Sequence, residues 1–277
     1  MIAPDDFIEG LAKGLAVLES FDPQRQRLNA TQVAQRTGLS RAAARRQLLT
    51  LAHLGYLDVE DGHYGLSPRV LRLAGAYLSS ARLPRVAQPV LDRLALSTRE
   101  ACSVVVLDRA EVVIVARSLG ALPRRWQEDP PQGGSGPAAP HRLPATPVMA
   151  YGLHQGARLA AHATSTGRML LACLNPQDLG AWLAEHAPLR RFNAHTVTET
   201  RALRGLLRDV RKADHCIAHE AHELGVHAVA VPVRDLTGRA VAALNIVTSP
   251  DRLQGPALED GLLAPMRAAA RELQSLV

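Results

Sequence analysis

Thr31-Gln32-Val33-Ala34-Gln35-Arg36-Thr37-Gly38-Leu39-Ser40-Arg41-Ala42-Ala43-Ala44-Arg45-Arg46 reads as two short helices joined by a glycine turn, the second rich in arginine. Asn29 or Ala30 opens the first helix, Val33 and Ala34 face inward, and Gly38 supplies the left-handed residue that ends it. Leu39 plugs the turn into a core, and Ser40 suits the N-cap of the second helix, where its hydroxyl accepts an orphan backbone N–H. Ala44, Leu48 and Leu51 follow at i, i+4 and i+7 and share the buried face, which turns Ala42 and Arg46 outward and sets Arg45 on the flank. The stretch lies between Asp22 and Asp58, a window with no acidic residue inside it and six arginines: Arg25, Arg27, Arg36, Arg41, Arg45 and Arg46. Such a helix suits a DNA groove, because small alanines permit close approach to base edges and arginines pair with guanine or phosphate oxygens. A solvated basic helix is the plainer alternative.

Upstream, Phe7, Leu11, Leu15 and Leu18 recur at helical spacing and predict a helix over residues 8–21 whose apolar stripe faces a small core; Asp22-Pro23 ends it. Downstream, Tyr56–Glu60 and His63–Ser67 flank Asp61-Gly62, a dipeptide favoured in tight hairpins. The amino-terminal part, residues 1–67, is therefore expected to be a winged helix-turn-helix that binds double-stranded DNA. Its DNA-facing set comprises Thr31, Gln32, Ser40, Arg41, Ala42, Arg45 and Arg46, with His63 at the wing tip. Arg25 and Arg27 are backbone contacts or plain surface.

The chain has 277 residues, 47% hydrophobic and 21% charged, enough for a small module and a larger one. Its apolar runs are too short to cross a bilayer and Met1–Asp6 does not resemble a signal peptide, so a cytoplasmic protein with no membrane partner is expected. Cys102, Cys173 and Cys216 share no CxxC spacing, which argues against a disulfide framework or a thiolate zinc site. The net charge of +6 fits a polyanion partner weakly. Residues 1–80 hold nine basic and eight acidic side chains, so the segregation of the arginines is the useful signal.

Residues 68–82 read as an amphipathic connecting helix, with Pro68 in its first turn. From 83 to 277 the pattern is α+β: a helix over 85–98, a hairpin of Cys102–Leu107 and Glu111–Ala116, and later strands at Val148–Gly152, His215–His219, Val226–Arg234 and Ala240–Val247. Helices are expected at Gly167–Cys173, Pro176–His186, Glu199–Ala213 and Leu258–Leu276. A Pro/Gly-rich insertion near 119–146, centred on Glu128–Pro137, cannot bury a core and reads as a mobile loop, either a bland surface insertion or a lid.

Ala163-Thr164-Ser165-Thr166-Gly167-Arg168-Met169-Leu170-Leu171 places hydroxyls and small residues at a helix start, where free N–H groups and the positive helix end favour a carboxylate. Plain capping by Ser165 or Thr166 is compatible with the same residues. The stretch lacks the first glycine of GxSxG, and His219-Glu220-Ala221-His222 is not HExxH, so neither a nucleophile elbow nor a zinc protease is supported. Within the dense cluster of His215, His219, His222 and His227, strand alternation makes His222 the residue that points to a pocket.

Phe7–Leu18, Leu39–Arg46 and Ser67–Leu71 resemble the IclR family of bacterial regulators, and more narrowly its PobR/PcaU/PcaR branch, over nearly the whole chain. The resemblance implies a GAF-like effector-binding domain with an antiparallel sheet, and a homodimer or pair of dimers joined through the connecting helix. It also implies control of aromatic-acid catabolism by an effector such as 4-hydroxybenzoate or protocatechuate, without a cofactor. Effector contacts carried over by resemblance fall on Val148, Tyr151, Leu159, Ser165, Thr166, Ala218, Val226, Ala228, Asn245 and Val247, with Gly167 in the same motif. Two alternatives stay open: a regulator that senses another small organic acid, and a hydrolase or metal enzyme carrying a DNA-binding module.

Overall fold

Asn29 and Ser40 each put a side-chain oxygen over the first N–H groups of a helix, and these caps delimit the helix-turn-helix. Asn29 accepts from the backbone N–H groups of Thr31 and Gln32 while Gln32 Oε1 accepts from Asn29, and this closed box starts α2, Ala30–Thr37. Gly38 ends α2 at φ 71°, and Ser40 Oγ accepts the Ala43 N–H at 3.2 Å to begin α3, Arg41–His53. The computed structural model describes residues 2–22, 25–119 and 153–277. The chain divides into two compact units, Met1–Tyr77 and Leu78–Val277.

In the first unit α1, Glu9–Leu18, packs on α2 and α3, with Val17, Val33, Ala44, Leu48 and Leu51 at the centre of the core. Of the expected inward stripe of α1, Leu18 packs against this core, but Phe7, Leu11 and Leu15 do not. Phe7, Leu11 and Leu15 are 52%, 61% and 48% exposed, whereas Val17 is 0% exposed. Gly14 and Val17 provide the contact face, because Gly14 lets α1 lie close against Gln47 of α3, and the larger apolar residues are thereby rotated to the outside. The wing has three strands in the order β1-β3-β2, comprising β1 Arg27–Leu28, β2 Leu57–Glu60 and β3 His63–Leu66. Asp61 and Gly62, at φ 49° and 73°, form the tight turn between β2 and β3. β1 was not legible as a strand; two residues carry no period, and its pairing through Arg27↔Gly65 and Leu28↔Tyr64 exists only in the fold.

The connecting segment is a 3-10 turn, Pro68–Val70, followed by α4, Leu71–Ser80, and a break at Ala81 before α5, Arg82–Thr98. In the second unit β4 Ala101–Asp108, β5 Glu111–Ser118, β6 Arg158–Ala160, β7 Cys216–His219, β8 His227–Arg234 and β9 Ala240–Thr248 form an antiparallel sheet ordered β6-β5-β4-β9-β8-β7. Helices cover both faces, which is why β4 and β8 read as nearly continuous apolar runs. One face packs on α5 and on α10, Ala264–Gln274. The other packs on α6, Ser165–Cys173, and through it on α7, Pro176–His186, and α8, Thr200–Ala213.

The single helix expected over Leu258–Leu276 is interrupted. A short helix α9, Gly255–Leu258, leads into a π turn, Glu259–Leu263, and only then into α10. Pro265 at the start of α10 cannot donate a backbone N–H, so the preceding turn widens. The strand expected at Val148–Gly152, with Val148 and Tyr151, lies outside the described residues, as does the Pro/Gly-rich stretch beyond Leu119.

Candidate functional site

The exposed side of α3 carries Arg41, Ala42, Arg45 and Arg46, with Ser40 at its start and Thr31 and Gln32 exposed at the start of α2. Among the described residues Arg41, Arg45 and Arg46 make no ion pair, whereas Arg36 is held by Asp22 at 2.7 Å and Arg27 by Glu60 across the wing. Five of the window's six arginines thus separate into two structural ion pairs and three cations on one helix face. His63 is exposed at the wing tip, its Nδ1 3.1 Å from the Asp61 carbonyl oxygen. The Gln32 side chain is occupied in the cap of α2, so it holds the helix start rather than reaching outward.

In the second unit a cavity of about 80 Å³ opens between the sheet and the start of α6. It has room for several water molecules. Leu159, Ser165, Thr166, Ala218, His222, Val226, Ala228, Asn245 and Val247 all line it. Gly167 does not. It is buried behind the wall, where a Cβ would stand 2.2 Å from the Ala161 carbonyl oxygen, so its role is to let α6 lie against the preceding turn.

Thr164, rather than Ser165 or Thr166, is the cap of α6: its Oγ1 accepts the Gly167 N–H at 3.1 Å. That leaves Ser165 and Thr166, in the first turn at the positive helix end, lining the cavity.

His222 lines the cavity from a loop and not from a strand. β7 ends at His219, and Glu220, at φ 52°, turns the chain away from the sheet. The His222 ring lies against Phe192, centroids 4.3 Å apart, and Arg190 covers Phe192 at 5.0 Å. Two hydrogen bonds of 2.8 Å, from Asn193 Nδ2 to the Glu220 carbonyl oxygen and from Thr196 Oγ1 to that of Ala221, tie this loop to residues 190–198.

Two family descriptions match this chain: "IclR helix-turn-helix domain" over residues 10–61 and "Bacterial transcriptional regulator IclR C-terminal" over residues 141–275. It is 46% identical over 276 residues to the p-hydroxybenzoate hydroxylase transcriptional activator of Acinetobacter baylyi, covering 100% of this chain and 94% of that protein. The chain belongs to the IclR family. It is accordingly a DNA-binding transcriptional regulator with an effector-binding domain, and not an enzyme. Among solved structures it is similar to the inducer-binding domain of a double mutant of the PobR transcription factor from Acinetobacter, in complex with 3-hydroxybenzoic acid. That similarity has a TM-score of 0.56 at 41% identity and covers 71% of this chain and 100% of that one. An IclR homologue from Microbacterium hydrocarbonoxydans, complexed with 4-hydroxybenzoate, is 28% identical with a TM-score of 0.67, covering 96% of this chain and 98% of that one.

Three cavity-lining polar residues of this IclR protein were not among the expected contacts: Ser103 on β4, Arg117 on β5 and Glu223 in the loop after β7. Val104 pairs with Ala116 and Val105 with Ile114, so Val115 is an extra residue in β5. The bulge brings Arg117 onto the same face as Ile114, where strict alternation would have put it on the opposite one. Its place directly after the β-branched run Glu111–Ala116 was the one available signal.

The histidine cluster does not gather at one point. His219 and His227 are register partners with Nδ1 atoms 3.1 Å apart, while His222 belongs to the cavity. Among the described residues no group of three His, Cys, Asp or Glu side chains is placed to hold a metal ion.

Burial is the first cause holding the imidazoles of His162, His219 and His222 below their ordinary pKa; for His222 the neighbouring His162 and Arg190 add to it. Near pH 6.5 the unfolded chain therefore binds more protons than the folded one, and stability is lost as pH falls through and below that value. Thermal unfolding of the effector-binding domain is expected at lower temperature at about pH 5.5 than at about pH 7.5. The difference should shrink in His222→Gln; an identical pH dependence in variant and wild type would rule out the His222 contribution.

Proposed function

We propose that this protein is a homodimeric regulator of aromatic-acid catabolism genes, acting in the cytoplasm and responding to a hydroxybenzoate-type effector such as 4-hydroxybenzoate or protocatechuate. Residues 1–67 are assigned to DNA binding, 68–82 to the connection and 83–277 to effector binding. Ser40, Arg41, Ala42, Arg45 and Arg46 read a major groove, Thr31 and the Gln32 turn meet the adjacent backbone, and His63 on the wing meets a neighbouring phosphate. The apolar residues left outside, Phe7 ahead of α1, Leu11 and Leu15 on α1, and Leu71 and Leu73 on α4, support pairing with a second copy.

The observation that carries the effector class is the cavity itself. It joins apolar walls (Leu159, Val226, Ala228 and Val247) to the α6 start at Ser165 and Thr166, with Asn245 and His222 as further polar groups. Solved relatives with hydroxybenzoic acids bound support the same class. Ala218 and Ala228 make this stretch of wall small and apolar, which suits a flat ring. Gly167 and the Thr164 cap hold the α6 start in place. Val148 and Tyr151 complete the assignment by resemblance.

A thermal-shift series with 4-hydroxybenzoate, 3-hydroxybenzoate, protocatechuate and the small keto acids pyruvate and glyoxylate tests this reading. A ligand at a hundred times its Kd stabilises the folded state by about 2.7 kcal/mol. For a domain of this size that raises Tm by roughly 5–11 °C. No shift with any aromatic acid, or a shift with keto acids alone, would overturn the effector class.

A further inference from the structure

His219 and His227 face each other across the last register pair of β7 and β8. Their neighbours Ala218 and Ala228 line the effector cavity. Strand alternation therefore turns the two imidazoles to the opposite face, the one on which Ile217 and Val229 pack towards α5 and α10. The Nδ1 atoms are 3.1 Å apart and the ring centroids 5.3 Å, with the rings inclined at 61°. His219 is exposed and His227 half-buried, so solvent reaches the pair.

That spacing is the bite of a chelate. An imidazole nitrogen binds zinc at about 2.0–2.1 Å, so two of them on one ion stand about 2.9 Å apart at a right angle and about 3.4 Å apart at the tetrahedral angle. In the bare pair one Nδ1 donates a proton to the other. Moving that proton to Nε2 of the same ring presents both Nδ1 lone pairs to an ion, with no net change in protonation. The nearby carboxylates are engaged elsewhere. Glu220 Oε1 accepts the Gly225 N–H at 2.7 Å, and its Oε2 stands 3.5 Å from His195 Nε2. Thr248, the register partner of His227 on β9, donates to Glu100 Oε1 at 2.6 Å, and Arg252 Nη1 donates to the same oxygen at 2.6 Å. Among the described residues no third ligand joins the pair, which leaves the other coordination positions to water. Neutral imidazole suits copper(II), nickel(II) and zinc(II), of which copper(II) binds most tightly.

The place of the pair in the fold gives it a consequence. Residues 220–226 run from one histidine to the other, and the backbone hydrogen bond from the Glu220 N–H to the Val226 carbonyl oxygen, at 2.7 Å, closes them into a loop. This loop brings Ala221, His222, Glu223 and Val226 to the effector cavity. β7 is an edge strand of the sheet, paired on one side only. We propose that His219 and His227 form a binding site for one copper(II), nickel(II) or zinc(II) ion, which ties together the two ends of the loop that carries His222 to the effector cavity. The ion sits on the other face of the sheet from the effector, so its binding does not depend on which acid the cavity takes.

The test uses the full chain without a histidine tag and titrates it by calorimetry with the chlorides of the three metals. One ion per chain is expected, with copper(II) the tightest. His219→Gln and His227→Gln should each weaken copper binding by at least about tenfold. His215→Gln is the control: the His215 Nδ1 is 3.0 Å from the Ala213 carbonyl oxygen and outside the pair, and the change should be less than about twofold. The paramagnetic resonance spectrum of bound copper should show two imidazole nitrogens in wild type and one in each pair variant. At ten times Kd an ion suppresses openings that part the two rings by about elevenfold. Amide hydrogen exchange in residues 220–226 should slow by up to that factor in wild type, and not in the pair variants. Absence of a stoichiometric site, or a copper affinity that survives either substitution, overturns the site. Ion binding with unchanged exchange in the loop overturns the tie. The two substitutions lie on different strands, so if one variant fails to fold the other decides.

Discussion

Replacing Arg45 and Arg46 together by alanine is expected to weaken operator binding by about a thousandfold, within limits of roughly 30-fold and 10⁴-fold. Both side chains are exposed on α3 and neither is held by an acid among the described residues. Each therefore meets DNA without first breaking an internal ion pair, and each lost contact to a base edge or phosphate removes about 1–3 kcal/mol. The salt dependence should flatten as well, by up to about two units in the log–log slope if both contacts are to phosphate and by less if one reads a base. Effector affinity should not change, since the effector cavity is built within Leu78–Val277. Fluorescence anisotropy on an operator selected with the wild-type protein measures the affinity and the slope together. Arg27→Ala serves as the contrast. Arg27 is engaged by Glu60 on the wing, so its loss should cost operator binding far less. Comparable losses in the two variants would mean that α3 is not the reading helix.

Gly167→Ala is expected to lower the unfolding temperature of the effector-binding domain by roughly 6–12 °C, or to prevent its folding, for the sake of one methyl group. The added Cβ would stand 2.2, 2.3 and 2.6 Å from the O, Cα and C atoms of Ala161, all of them backbone. No side-chain rotamer relieves that clash. Ala161 is itself buried, and α6 is pinned from the other side by Met169 and Leu171, both fully buried, so the first turn of α6 or the turn before it has to move. Overpacking that displaces backbone costs about 3 kcal/mol or more. Because Thr164, Ser165 and Thr166 move with that turn, effector binding should be lost even where the domain survives. Gly75→Ala in α4 is the control: nothing lies within 4 Å of the added Cβ, and the exchange should be neutral or stabilise α4 by up to about 1 kcal/mol. Circular dichroism melts of the two variants give the comparison. An unchanged Tm in Gly167→Ala would mean that α6 does not rest on Ala161.

The elements most legible in the sequence are those whose causes are local. Gly38 after Thr37, Ser40 before Arg41, and Ala44, Leu48 and Leu51 at i, i+4 and i+7 state a turn, a cap and a buried face within a few residues of one another. The Asp61-Gly62 hairpin and α7 at Pro176–His186 are legible for the same reason. The side of α1 that turns inward was not. Phe7, Leu11 and Leu15 outvoted Gly14 in the pattern, but packing against α3 selects for closeness of approach and not for hydrophobicity alone.

At the effector site the division is sharper. Sequence by itself determined the local chemistry: a run of hydroxyls opening α6, β-branched strands, and arginines gathered on one face of α3. Only the tertiary structure decided which side chains meet. The extra residue Val115 shifts the parity of β5 and turns Arg117 toward the cavity, Glu220 bends His222 out of β7, and the Thr164 cap leaves Ser165 and Thr166 facing the same space. A helix period or a cap is settled by neighbours along the chain. A bulge is settled by the hydrogen-bonding partner across the sheet, and in β4 and β5 that partner's register, not the residue itself, chooses the face on which Arg117 stands.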